Sequence, residues 1–244
     1  MTSSNIFDSC NKLMHSIANK VLPQDCHLCG APSFDSALCH SCEQSLERLP
    51  PAHCPRCAMP SPLGQVCGRC IRRAPSYDAT HAALRYEFPA DRLILALKHR
   101  NQLPLAALLA GKLAESVKSR RTSGIAIDLV IPMPLHARRL AQRGFNQSVE
   151  IGRRTAHELA LAFTCQAAQR LRDTPAQADL PLMRRRANVR GAFDCSTSLE
   201  GKSVAIVDDV MTSGATLNAL AAALKRVGAI HVENWVVART WPRD

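Results

Sequence analysis

Aromatic residues make up only 4% of the 244-residue sequence, which leaves few rings on which single-stranded bases can stack and weakens, without excluding, nucleic-acid binding. No apolar run approaches the roughly 18 residues that a membrane helix requires, so membrane insertion is not expected. The chain has no G-x-x-x-x-G-K-[ST] loop, which argues against a P-loop nucleotide hydrolase, where paired aspartates hold magnesium. Residues 1 to 22 (MTSSNIFDSCNKLMHSIANKVL) have neither the apolar stretch nor the small-residue cleavage site of a secretory leader. A cytoplasmic protein with a short N-terminal lead segment, 1–22, is expected.

What the chain does have is basic charge and cysteine. Its formal charge is +11, which favours anionic ligands such as nucleic acid or a polyphosphate. Eight of the 11 cysteines fall between positions 26 and 70 as four C-x-x-C pairs: Cys26 and Cys29, Cys39 and Cys42, Cys54 and Cys57, Cys67 and Cys70. Each pair can form a knuckle presenting two sulfurs to one tetrahedral ion, so four knuckles complete two closed, structural four-thiolate zinc sites. Ligation as thiolate would lower the charge to about +7. Nine residues separate the first two pairs and nine the last two, which favours sequential pairing, while an interleaved cross-brace would use the same ligands. Some 50 residues with few large apolar side chains need such a staple in place of a core. The segment IRRAPSYD after Cys70 reads as a linker, which puts a small module at 23–75.

Residues 76–244 alternate in pattern. ATHAALRYEF reads as a strand, DRLILALKHR and LPLAALLAGKLAESVKS as helices, IDLVIPMP as a buried strand, 145–162 as a helix weakened at Gly152, SVAIVDD as a strand, ATLNALAAALKRVG as a helix and HVENWVVART as a strand. Such alternation implies an α/β domain, a parallel sheet with helices on both faces, and ligands of these sheets sit at the carboxyl ends of the strands.

There the run VAIVDDVMTSGAT (204 to 216) carries two adjacent carboxylates followed by a small-residue turn. A buried carboxylate needs a partner. The turn leads into a helix whose first N–H groups are unsatisfied and attract phosphate, Thr212, Ser213 and Thr216 add hydroxyls, and Gly214 and Ala215 leave the backbone accessible. Asp208 and Asp209 stand where they can accept hydrogen bonds from vicinal ribose hydroxyls.

This run resembles the signature by which type I phosphoribosyltransferases bind phosphoribosyl pyrophosphate (PRPP). The blocks VIPMPLHARRLAQRGFNQSVEIGRR (130 to 154) and RDTPAQADLPLMRRRANVRGAF (172 to 193), with the cysteine ribbons, make nearly the whole chain similar to the ComF family of DNA-uptake-associated phosphoribosyltransferase-like proteins. The resemblance implies a phosphoribosyltransferase-like domain at 76–244 after a double zinc ribbon. It also implies a ribose-binding, catalytic pair in Asp208 and Asp209, a 5′-phosphate loop from Thr212 to Thr216, and a pyrophosphate loop including Pro134, Leu135 and His136. In 6-oxopurine enzymes of this type the position of Thr212 is an aspartate that acts as a base, a task threonine cannot perform near neutral pH. Purine salvage is therefore not expected.

Arg138, Arg143 and Asn146 are further candidates for pyrophosphate, since guanidinium forks pair with phosphate oxygens. Arg172, Gln177, Arg186 and Asn188 are candidates for a lid. The resulting expectation is transfer of ribosyl 5-phosphate from PRPP, carried with magnesium, to an unidentified acceptor. The alternative is a PRPP sensor associated with single-stranded DNA or with DNA-uptake proteins.

Overall fold

The computed structural model describes residues 24–33, 36–100, 102–120, 124–173 and 191–242. The cysteine-rich part is one unit built twice. In the first copy β1 (Gln24–Asp25) pairs antiparallel with β2 (Pro32–Ser33), and α1 (His40–Gln44) begins directly after Cys39. The second copy repeats the plan, with α2 (Gly68–Arg72) beginning directly after Cys67. Both first knuckles close by the same turn: Gly30 N–H donates to Cys26 O and Ala58 N–H to Cys54 O.

Sulfurs of Cys26, Cys29, Cys39 and Cys42 converge in one group and those of Cys54, Cys57, Cys67 and Cys70 in another, each within 4.8 Å of one another. The sulfurs of Cys29 and Cys39 are 3.7 Å apart and those of Cys57 and Cys67 3.6 Å. A tetrahedral ion with Zn–S bonds of about 2.3 Å requires sulfurs about 3.8 Å apart, so both groups fit zinc. The pairing is sequential, not interleaved.

The remaining elements are β3 (Ala79–Arg85), α3 (Ala90–Arg100), α4 (Pro104–Arg120), β4 (Leu129–Pro132), α5 (Ala137–Arg143), α6 (Gln147–Glu158), β5 (Ala162–Phe163), β6 (Gln169–Arg170), β7 (Phe193–Asp194), β8 (Ser203–Met211), α7 (Ala215–Arg226) and β9 (His231–Arg239). Five strands form one sheet in the order β3-β9-β8-β4-β5, every pair parallel. Both faces are covered, which is why β8 reads as a continuous apolar run. Along it Val204 and Ile206 join the core under Leu217, Leu220 and Leu224 of α7, while Ala205 and Val207 join the opposite core with Leu97, Leu109 and Leu113 of α3 and α4.

The two ribbons straddle the β3 edge. Cys26, Leu38 and Leu46 pack into the α3/α4 core, and Cys54, Cys57 and Cys70 into the α7 core. Between them Leu49 N–H donates to Ala83 O and Arg85 N–H to Glu47 O, which satisfies an edge that would otherwise offer unpaired backbone to other chains.

Two departures from the sequence pattern have local causes. The single helix expected over 145–162 is α6 alone, started by the Asn146 side chain accepting from Ser148 N–H, while Gly144 in the left-handed region ends a separate helix, α5. Gly152 is a close-packing point, since a Cβ there would lie 3.1 Å from Phe163 Cε2 and 3.4 Å from Val207 Cβ.

Candidate functional site

Strand β8 runs two residues beyond the expected SVAIVDD. Its pairing with β4 ends at Pro132–Val207, whereas its pairing with β9 continues to Met211–Arg239. Asp208 and Asp209 therefore lie where β4 has parted from β8, in the crevice at the carboxyl edge that open parallel sheets use for ligands. Gly214 (φ 77°) caps α7, and a Cβ there would come within 2.6 Å of Met211 Cε and 3.0 Å of the Tyr77 hydroxyl. Only glycine fits that turn without displacement. Ser213 Oγ accepts from Ala215 N–H at 3.3 Å, while Thr212 and Thr216 are half-buried beside it.

The two carboxylates are used differently. Asp209 is buried, its Oδ1 accepting from Val210 N–H at 2.7 Å and its Oδ2 lying 2.6 Å from Lys98 Nζ on α3. Asp208 Oδ1 accepts from Ser148 Oγ on α6 at 3.1 Å and from Asp209 N–H at 2.9 Å. Burial and the neighbouring Asp209 push the Asp208 pKa up to about 7, against the opposing pull of Lys98 and these two hydrogen bonds.

Arginines form the opposite wall. Arg143 Nη1 donates to Gln147 Oε1 at 2.5 Å, and burial lowers its pKa while Asp209 opposes the shift. Arg170 on β6 stacks over Phe193 at 5.6 Å and responds to burial in the same direction, with Asp208 opposing. Arg138 and Arg139 lie 3.5 Å from the Asp173 carboxylate. A hollow of about 550 Å3 also opens on the ribbon side of the loop, lined by Arg69, Arg73, Tyr77, Ser213, Asn218 and Arg226. Neither Asp208 nor Asp209 lines it.

Two family profiles match the chain: a double zinc ribbon domain over residues 17–71 and a phosphoribosyl transferase domain over residues 146–240. The chain is 34% identical to the DNA utilization protein YhgH of Salmonella typhimurium, over 90% of this chain and 98% of that protein. It is 30% identical to competence protein F of Haemophilus influenzae, over 84% and 91% respectively. The chain belongs to the ComF/YhgH family. Its phosphoribosyltransferase-like fold has the sheet and the crevice described above.

Within this ComF/YhgH chain the candidate residues gather unequally. Asp208, Asp209 and Thr212 to Thr216 form one continuous edge at the end of β8 and the start of α7. Pro134 and Leu135 are half-buried just beyond β4. His136 caps α5 through Nδ1, which accepts from Arg138 N–H at 3.3 Å. The Asn146 amide is committed to protein, donating to Met133 O at 3.0 Å and capping α6. Arg172 is exposed, while Gln177, Arg186 and Asn188 lie outside the described residues. Sequence reasoning did not find Lys98, Ser148, Arg170 or Arg239. The first two carried a weak signal, a buried carboxylate's need for a donor, which names no particular residue.

Proposed function

We propose that the protein binds PRPP across this crevice and transfers its ribosyl 5-phosphate to an acceptor with release of pyrophosphate. The observation that carries the reading is the continuous edge in which a carboxylate, Asp208, is followed within one turn by a glycine-capped 12-residue helix. The 5′-phosphate would meet the first turn of α7 with Ser213 and Thr216, since helix N-termini bind anions. Asp208 would hold ribose hydroxyls and favour positive charge at the anomeric carbon. Magnesium arrives with PRPP as part of the substrate and offsets the charge of the departing pyrophosphate. The bond from the anomeric carbon to the pyrophosphate oxygen breaks with its electron pair on pyrophosphate. A lone pair of the acceptor forms the new bond, and the acceptor's proton passes to solvent. Arg143 and Arg170 would stabilise the leaving group.

A second reading, a PRPP sensor that holds single-stranded DNA, is favoured by the relatives' names and by the basic excess. Pyrophosphate release measured across a panel of bases, beside salt-titrated DNA binding, separates the two. Release with one base supports the enzyme; DNA binding that weakens steeply with salt, with release from none, supports the sensor. Absence of magnesium–PRPP binding in calorimetry overturns both.

A further inference from the structure

The two aspartates cannot do the same work, because one is already engaged. Asp209 has Val210 N–H on one oxygen and Lys98 on the other, and among the described residues its Oδ2 has no other hydrogen-bond partner. Its side chain is only 6% exposed and that of Lys98 20%. Among the described residues no hydrogen bond or ion pair engages Asp208 Oδ2, while Oδ1 is held by Ser148 and the backbone. Two adjacent carboxylates in a desolvated crevice repel, and one would retain a proton near neutral pH unless a cation compensated.

We propose that Lys98 is a positioning residue of the sugar site: it closes Asp209 into an ion pair, so that Asp208 alone meets the ribose as an ionised acceptor. This rests on the PRPP reading above. The ion pair halves the local negative charge, which lowers the repulsion that the phosphates of PRPP would meet. The groups facing the pair are Lys98 on α3, Tyr86 after β3, Arg143 on α5, Ser148 on α6 and Arg170 on β6. Tyr86, whose pKa burial raises, and the two arginines keep their charge states near neutrality. Over that range Asp208 is the protein group in this set whose protonation responds to Lys98.

The test is the pH profile of magnesium–PRPP affinity by calorimetry on the full chain, with thermal melts as a control on folding. In Lys98→Met the Asp208 carboxylate loses its compensating cation and holds its proton to higher pH. Affinity near pH 7 should fall about tenfold and the midpoint of the profile should rise by about one pH unit. Lys98→Arg should restore the midpoint. So should the double variant Lys98→Met/Asp209→Asn, which removes both partners and leaves no buried orphan charge. The phosphate of PRPP titrates near pH 6, but equally for every variant, so only differences in midpoint count.

A folded Lys98→Met with an unmoved midpoint overturns the proposal. If Lys98→Met does not fold, the double variant decides: loss of PRPP binding as complete as in Asp208→Asn overturns the division of roles, and retained binding supports it. If the wild type binds no PRPP, the functional reading fails instead, a distinguishable result.

Discussion

The Nε of Arg239, at the end of β9, donates to the carbonyl of Cys57 at 2.9 Å, inside the second zinc knuckle. The same guanidinium reaches into the turn between β8 and α7, where its Nη1 donates to Met211 O at 2.7 Å and to Thr212 O. Arg239 is 1% exposed, and burial pushes its pKa down to about 10 although Cys57 and Tyr77 oppose the shift. One buried cation therefore joins the metal knuckle to the start of the turn that leads into α7. The ribbon is continuous with the site's support rather than an appendage.

Stripping zinc should therefore loosen the loop as well as the ribbon. Dialysis against a strong chelator, with zinc counted by a colorimetric thiol-displacement assay, should lower thermal stability and weaken PRPP binding together. Arg239→Lys should cost about 2–4 kcal/mol, because one ammonium cannot replace a fork spanning several carbonyls. Its PRPP affinity should fall even with zinc fully bound. An Arg239→Lys protein that melts and binds like wild type would refute the coupling.

Asp208→Asn should stabilise the fold while removing PRPP binding. The folded-state pKa of Asp208 is raised from 3.8 to about 7, so the folded chain holds that proton more tightly than the unfolded one. The wild type then loses stability progressively as pH rises through that window, and the loss levels off above it. Melting curves across the window should show the variant's advantage growing to roughly 1–3 kcal/mol. A constant difference would argue against the raised pKa.

At the opposite end of the sheet Glu233 carries the reverse sign. It is fully buried, accepts from Trp235 Nε1 at 2.8 Å and faces His81 and His231 at 3.4 and 3.3 Å. Burial alone would raise its pKa, but the hydrogen bond and charge of His81, with the contacts of Trp235 and His231, hold it down at about 2. A depressed carboxylate stabilises the fold above its ordinary pKa of 4.5, and that contribution is lost as pH falls toward 2. Glu233→Gln should destabilise by roughly 2–4 kcal/mol at neutral pH, with the deficit shrinking in acid. Urea titrations at neutral and acid pH measure it.

Gly214→Ala should cost roughly 1–3 kcal/mol, since a β-carbon meets Met211 and Tyr77 in a left-handed conformation. On the proposed function, PRPP affinity should fall further than this stability loss explains, because that reading seats the 5′-phosphate on this turn. Comparison with Gly152→Ala, which crowds Phe163 and Val207 instead, separates the two effects: that variant should destabilise yet bind PRPP once folded.

Much of this was legible in the chain. Cysteine spacing announced two four-thiolate groups because a knuckle is a local object, made by four neighbouring residues and one ion. The strands β4 and β8 showed as apolar runs because both faces of a parallel sheet are buried. The short strands β5, β6 and β7, two residues each, left no such trace, since so few residues have no period to display. The arginine-rich block hid a helix boundary, because Gly144 and Asn146 act through backbone angle and capping geometry rather than through pattern.

By itself the sequence determined the zinc knuckles, the strand–helix alternation and the acidic loop, each set by spacing within a few neighbouring residues. The tertiary structure alone decided that Lys98 closes Asp209, that Ser148 holds Asp208 and that Arg239 ties Cys57 to the loop. A buried charge or carbonyl requires a partner, but which distant element supplies it depends on where helices dock on the sheet, and that is a property of the packed whole.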